Sequence, residues 1–294
     1  MLSCYIGIWI FVFGMVFGSF LNCTAMRIVR HEDFIRGRSH CMTCGHELAA
    51  ADLIPVMSRM WTRGRCRYCG ARISVRYPLT EVMFALLAEG VFLRFGCTPE
   101  TIRDLVMIGC LFVLSLVDLE SYEIPDGCLL IGLIAWCGGA PFIEGSLSSA
   151  VQHLLAGLVC GGVMLTISLA MDHILGRESL GGGDIKLYAL MGVYTGFLGS
   201  YFVVLLSCVF GLILAFIRKL LPGGRQRGEE SREELSEAEG PPESGALRPE
   251  ETASPGREEP VQGTVIPLGP AIAAAGYVML LFGNDIIHWY LGFF

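Results

Sequence analysis

The chain has 294 residues, of which 53% are hydrophobic and 17% are charged, and its mean hydropathy is +0.58. This composition argues against a soluble protein and favours one that lies largely in a membrane. The net charge of −7 comes from one segment, because residues 229–260 hold eleven Glu and three Arg while the remainder is close to neutral.

Apolar runs recur along the chain at the length of membrane-spanning helices, which need roughly 20 mostly apolar residues. The first run lacks a basic start and a small-residue cleavage site, so we interpret it as a retained span rather than a secretory signal. The sequence therefore predicts an all-α, polytopic membrane protein with about eight transmembrane helices. The predicted spans lie near residues 5–26, 79–97, 102–119, 127–143, 151–171, 185–199, 200–217 and 264–291.

The polar loop after the first span carries ten of the 21 basic residues of the chain. The positive-inside rule places it in the cytoplasm, and threading the later spans alternately puts the joints 118–126, 172–184 and 218–263 on the same side. Residues 222–263 have few apolar side chains to bury, which predicts a disordered acidic loop. The expected segments are a first transmembrane helix (1–26), the cytoplasmic loop (27–78), a transmembrane core (79–221), the acidic loop (222–263) and a last transmembrane helix (264–294).

Two C-x-x-C pairs lie in the first cytoplasmic loop, separated by 21 residues, and each pair is followed by glycine. They comprise Cys41, Cys44, Cys66 and Cys69. This spacing is typical of a tetrahedral zinc site with four sulfur ligands, which is structural because it leaves no open position for a substrate. The alternative is a pair of disulfides or spare thiols, which a reducing cytoplasm disfavours. His40 and His46 flank the first pair and are interpreted as surface residues.

Two acidic residues stand at the ends of apolar runs, where a charge is costly and asks for a reason. Asp118 ends the run 111–117, and Pro125 is expected to turn the chain back soon after it. Asp184 follows three glycines that allow the backbone to approach a neighbour or a substrate closely. Two carboxylates at equal depth can share one proton, so that one activates a water and the other protonates a carbonyl. The pattern favours an aspartic peptidase.

Other interpretations of the acidic residues stay open at this point. Each aspartate alone is compatible with capping a helix or with pairing to Lys186 or Arg177. Glu81, which follows Arg76 closely, is expected to pair with it or to anchor its span. Two further functions are a transporter with coupled carboxylates, which would need its acids near the bilayer midplane, and a non-catalytic scaffold that recruits partners.

The chain resembles the type IV prepilin peptidases, membrane aspartic enzymes of the G-x-G-D class, in six ordered motifs. These are residues 18–22 with Arg27, the two C-x-x-C pairs, residues 73–78 with Glu81, residues 118–126, residues 181–186 and residues 266–270. Two departures are the acidic insertion before the last span and the residues 23–27, where an aromatic residue and a proline are more typical. Neither departure touches Asp118 or Asp184.

The resemblance implies that Asp118 and Asp184 are the catalytic pair and that the four cysteines form the zinc-binding motif of the family. It implies an enzyme of the bacterial inner membrane that removes the basic leader from type IV prepilins or pseudopilins, for pili or protein secretion. Members with this loop usually also methylate the new N-terminus with S-adenosylmethionine, although the sequence shows no pocket for that methyl donor. The partners expected are prepilins and the lipid bilayer, with no nucleic acid.

Overall fold

The computed structural model describes residues 2–32, 39–41, 43–53, 55–176, 179–220 and 267–293, and the elements below refer to these ranges. They are helical apart from the joints and the loop that follows the first helix. The helices are α1 (Leu2–Val29), α2 (Met57–Trp61), α3 (Arg76–Phe95), α4 (Pro99–Ser121), α5 (Asp126–Ile143), α6 (Leu147–Leu175), α7 (Gly182–Leu220) and α8 (Gly269–Leu291). A short 3₁₀ turn, Ala50–Leu53, precedes α2.

Local sequence signals explain where α4 and α5 begin and end. The Thr98 side chain accepts a hydrogen bond from the Thr101 N–H, and Pro99 occupies the first turn, where a missing N–H costs nothing. At the other end of α4, Tyr122 adopts a left-handed conformation and its N–H donates to the Asp118 carbonyl. Pro125 then precedes the first residue of α5, so the chain reverses between Asp118 and Asp126 as the sequence predicts.

Helix α4 lies at the centre of the helical bundle. One apolar cluster joins it to α5, α6, α7 and α8 through buried residues such as Met107, Leu187 and Ile272. A second cluster joins it to α1, α3 and α8 through residues such as Ala25, Phe84 and Val117. An acid on α4 is therefore held on a scaffold that packs against neighbours on more than one side.

Small residues allow α6 and α7 to approach each other closely. A Cβ added to Gly157 would lie 2.7 Å from the Ala189 carbonyl oxygen, and one added to Gly192 would lie 2.9 Å from the Gly157 Cα. A Cβ on Gly161 would meet Ala189 at 2.8 Å. Backbone contact of this kind replaces the hydrophobic effect as a source of helix association in lipid.

Within the described residues, five helices are long and apolar enough to cross a membrane by length and composition: α1 from residue 5, α5, α6, α7 and α8. The predicted count of eight spans is not confirmed. The sequence predicts two spans in 185–217, and the structure has two helical segments within Gly182–Leu220 that meet at a kink at Gly196 (φ 71°, ψ −174°).

The other predicted segments are matched in part. Helix α1 continues to Val29, beyond the expected end of the first span, and α8 begins at Gly269. The acidic loop 222–263 lies outside the described residues. Residues 1–210 and 267–294 form one compact unit that contains every site discussed below, whereas 211–266 form a second unit, of which the structure describes the last ten residues of α7.

Candidate active site and metal centre

Asp118 lies in the last turn of α4 and is buried, with 5% of its surface exposed. Its Oδ2 accepts a hydrogen bond of 2.9 Å from the N–H of Gly269, the first residue of α8. A Cβ at Gly269 would lie 2.8 Å from that oxygen, so the close approach requires glycine. The carboxylate does not cap its own helix, because it stands at the negative end of the α4 dipole. It caps α8 instead, across 151 residues of sequence.

Asp184 lies in the first turn of α7, and the turn before it packs against the segment that follows Asp118. A Cβ at Gly183 would lie 2.8 Å from the Ile124 Cβ, while one at Gly182 would meet nothing within 4 Å. Lys186 donates a 2.7 Å hydrogen bond to Asp126 Oδ1, which holds the starts of α5 and α7 together. These two contacts bring the 118–126 and 181–186 motifs to the same end of the bundle.

The carboxylates of Asp118 and Asp184 are near enough for their charges to interact. Asp184 Oδ1 is buried and has no hydrogen-bond partner within the described part of the chain. The Lys186 ammonium, the alternative partner that the sequence offers for either acid, pairs with Asp126. The site therefore contains two interacting carboxylates, one of which presents an unused acceptor oxygen. Arg177, the other alternative partner, is outside the described residues.

The two C-x-x-C pairs adopt the same local structure at a constant offset of 25 residues. In each, the glycine after the second cysteine has a positive φ (67° at Gly45, 74° at Gly70) and donates its N–H to the carbonyl of the first cysteine. Isolated antiparallel bridges flank both turns, His40 with Glu47 and Arg65 with Arg72. A Cβ on either glycine would meet nothing within 4 Å. Glycine is therefore favoured at these two positions by the positive φ of the backbone and not by lack of space.

The four thiols converge on one point. Their sulfur atoms all lie within 4.8 Å of one another, and Cys41 Sγ is 3.8 Å from Cys69 Sγ. Zinc–sulfur bonds of about 2.3 Å in a tetrahedron require sulfur atoms about 3.8 Å apart. The cluster could therefore hold a metal ion with little rearrangement. His46 is exposed and its ring stacks on Tyr68, with 3.7 Å between centroids, as a surface residue would.

Backbone donors prepare the cluster for a cation. The N–H groups of Cys44 and Thr43 lower the pKa of Cys41 to about 6. The Ala71 N–H acts in the same direction on Cys69, but burial and hydrogen bonds with the other three thiols outweigh it and raise the pKa of Cys69 to about 11. A cluster without an ion thus keeps protons on part of its sulfurs, and a metal ion would displace them.

Sequence reasoning missed a buried polar cluster between α1 and α3. Glu81 Oε2 accepts a 2.9 Å hydrogen bond from the Val56 N–H, and the Ser19 hydroxyl lies near this carboxylate. The expected partner Arg76 instead pairs with Glu120 on α4. Asn22 is one helical turn from Ser19 and is also buried. A sequence signal for this cluster did exist, because Ser19 and Asn22 lie in the motif 18–22 and Glu81 belongs to another of the six motifs.

The fold and the site define a polytopic helical membrane protein with a carboxylate pair at one end of its bundle and a four-cysteine loop. Residues 12–95 match the bacterial peptidase A24 N-terminal domain, and residues 105–216 match the type IV leader peptidase family. The chain belongs to the type IV leader peptidase family. The matched regions divide the molecule, because the cysteines fall in the first and both aspartates in the second.

Three curated relatives are similar over nearly their whole length, and each is named prepilin leader peptidase/N-methyltransferase. The protein from Pseudomonas putida is 32% identical over 94% of this chain and 90% of its own. The protein from Myxococcus xanthus (strain DK1622) is 29% identical over 94% of this chain and 90% of its own. The protein from Bacillus subtilis (strain 168) is 28% identical over 96% of this chain and 96% of its own. No solved structure matches the chain.

Proposed function

We propose that this protein is an intramembrane aspartic endopeptidase that removes the basic leader from type IV prepilins or pseudopilins at the cytoplasmic face of the inner membrane, and then methylates the new N-terminus. The observation that carries the proposal is that contacts between the 118–126 and 181–186 motifs bring Asp118 and Asp184, from different helices, to one end of the bundle. Membership of the family and the names of the relatives supply the substrate class.

Asp118 and Asp184 are the catalytic pair in this proposal. With one proton between them, the ionised carboxylate takes a proton from a water molecule, which attacks the scissile carbonyl carbon. The protonated carboxyl hydrogen-bonds the carbonyl oxygen and stabilises the negative charge that develops there. Asp184 Oδ1, which has no hydrogen-bond partner among the described residues, is available for one of these hydrogen bonds, while the Gly269 N–H holds Asp118 in place.

The proposed topology brings enzyme and substrate to the same depth. The loop between α1 and α3 carries an excess of arginine, which supports its placement in the cytoplasm. Arg76 at the start of α3 pairs with Glu120 at the end of α4, so the end of the bundle that holds Asp118 adjoins this loop. A leader that remains on the cytoplasmic side would present its cleavage site there.

The cysteine cluster and the methyl donor are assigned separately. Cys41, Cys44, Cys66 and Cys69 hold one structural zinc ion that folds the loop, which is supported by the spacing of their sulfur atoms. S-adenosylmethionine is the methyl donor, as the names of the relatives suggest, and it supplies an electrophilic methyl group.

The direct test is to incubate the purified protein in lipid nanodiscs with a candidate prepilin and S-adenosylmethionine and to measure the mass of the product. We expect loss of the leader and a gain of one methyl group on the new N-terminus. A substrate left intact in the presence of enzyme, with a bacterial extract as positive control for the same substrate, would contradict the proposal.

A further inference from the structure

The hydrolysis proposed above leaves the cluster of Ser19, Asn22 and Glu81 without a role. It lies in the region matched by the bacterial N-terminal domain, whereas both aspartates lie in the region matched by the leader peptidase family. Asn22 and Glu81 are 2% and 7% exposed, so polar groups here are kept at a cost that calls for a function.

Close packing of α1 on α3 creates this cluster. A Cβ on Gly18 would lie 3.1 Å from the Glu81 Cα and carbonyl oxygen, and one on Gly14 would lie 2.8 Å from the Ala85 Cα. The two backbones are therefore in contact at the level of Glu81 and one turn further along α3, at Ala85. This approach places the side chains that follow Gly18 on α1 beside the Glu81 carboxylate, which the Ser19 hydroxyl contacts.

The cluster is rich in hydrogen-bond acceptors. Asn22 Oδ1 has no hydrogen-bond partner among the described residues. Glu81 accepts a hydrogen bond from the Val56 N–H, and the Ser19 hydroxyl lies near its carboxylate. The buried Asp104 differs, because its Oδ1 is 2.8 Å from the Arg103 guanidinium. A buried carboxylate near Ser19, together with an amide oxygen one turn further along α1 that has no partner among the described residues, suits a ligand that is cationic and donates hydrogen bonds, such as an ammonium group.

The cluster lies at the same end of the bundle as the carboxylate pair. Arg76 pairs with Glu120, and Glu81 is five residues further along α3, a rise of about 7.5 Å. Asp118 is two residues before Glu120, a rise of about 3 Å along the neighbouring helix. An amine released beside Asp118 therefore has only a short distance to move to reach the level of Glu81.

We propose that Ser19, Asn22 and Glu81 form the site that receives the α-ammonium group released by leader cleavage, and that Glu81 acts as its base. This inference rests on the proposed function and assigns residues to its second step. The Glu81 carboxylate takes one proton from the ammonium group, while Asn22 Oδ1 accepts a hydrogen bond from the same nitrogen. The free amine lone pair then forms a bond to the methyl carbon as the carbon–sulfur bond of the sulfonium donor breaks, which leaves a thioether and a methylated ammonium group.

A binding experiment tests the site without the methyl donor. The probe is a peptide with the first residues of a mature pilin, prepared with a free or an acetylated N-terminal amine and titrated against the protein in nanodiscs. We expect wild-type protein to bind the free amine roughly tenfold more tightly, because a charged hydrogen bond is lost on acetylation. Glu81→Gln should bind both peptides equally. An unchanged preference in Glu81→Gln would overturn the proposal.

The products of the complete reaction separate this role from a structural one. Glu81→Gln should retain leader cleavage and lose methylation by roughly 100-fold, as expected for a missing base, and Glu81→Asp should recover part of it. Glu89→Gln is the matched control, since Glu89 lies on the same helix and its Oε2 is buried, with no partner among the described residues. Both steps should be unchanged in this variant. Equal loss of cleavage and methylation in Glu81→Gln contradicts this assignment, whereas a wild-type protein that releases no leader contradicts the proposed function itself.

Discussion

Single residues decide how closely the two acidic motifs approach each other. The glycine preceding Asp184 has a function of its own, because the Ile124 Cβ lies only 2.8 Å from where a Gly183 Cβ would stand. The identities of the acids and cysteines could be predicted from local spacing, since a C-x-x-C turn or a helix end is fixed within a few residues. The sequence could not predict two contacts between separate helices, because they depend on how the helices pack. These are the contact of Asp118 with Gly269 and that of Gly183 with Ile124.

Gly183→Ala should reduce leader cleavage by roughly 100-fold, the effect of about 1 Å of misplacement in an active site. The added methyl group pushes α7 away from Ile124 and so moves Asp184 relative to Asp118. Gly182→Ala is the control, because its Cβ would meet nothing within 4 Å. Initial cleavage rates in nanodiscs compare the two variants. Equal rates for Gly182→Ala and Gly183→Ala would show that the close approach is irrelevant to catalysis.

At the scale of elements, the described residues of the loop between α1 and α3 contain little regular structure apart from the cysteine turns. Its described helices are the 3₁₀ turn and the five-residue α2, and the largest unit of order is the pair of matching turns around Cys41 and Cys66. The C-x-x-C spacing predicted this cluster correctly. The sequence did not predict the attachment of the loop to α3 through Val56 and Glu81, since nothing in its local pattern relates these residues.

Replacing Cys66, the buried member of the proposed zinc site, by serine should prevent metal binding and loosen the loop. Elemental analysis of purified wild-type protein should give about one zinc ion per chain, as four sulfur ligands imply, and Cys66→Ser should give little. Limited proteolysis should cut the variant faster between residues 39 and 75. The control is Cys97→Ser, which alters an exposed thiol outside the cluster. If elemental analysis finds no zinc in the wild-type protein, the proposed structural zinc site is contradicted.

At the scale of the whole molecule, α4 connects the two halves of the bundle and carries one of the proposed catalytic residues. The all-α membrane class could be predicted because long apolar runs are read directly from composition. The number of spans could not be fixed, because α3 and α4 carry buried acids such as Glu81 and Asp104, and because α7 consists of two helical segments that meet at a kink at Gly196. Packing between helices stabilises buried acids and kinks of this kind, and the pattern of apolar residues in the sequence does not reveal that packing.

Deleting residues 229–260 should leave leader cleavage within about twofold of wild type. The segment has few apolar side chains to bury, and the carboxylate pair is assembled from α4, α7 and α8 without it. The deletion retains residues 221–228 and 261–268 to join α7 to α8. The cleavage rate of the shortened protein, normalised to the amount inserted in membranes, checks this expectation. A severalfold loss would assign the acidic loop a part in substrate handling.

The central claim is that Asp118 and Asp184 act together on the scissile bond. The most direct measurement is the cleavage rate of Asp118→Asn and of Asp184→Asn in nanodiscs, because the amide keeps the size of the side chain and removes its acid–base function. We predict that each variant inserts and melts like wild type but loses at least about 100-fold in rate. The control Asp285→Asn, which removes only a surface ion pair with Arg94, should keep its activity. Wild-type cleavage by either active-site variant would contradict the account.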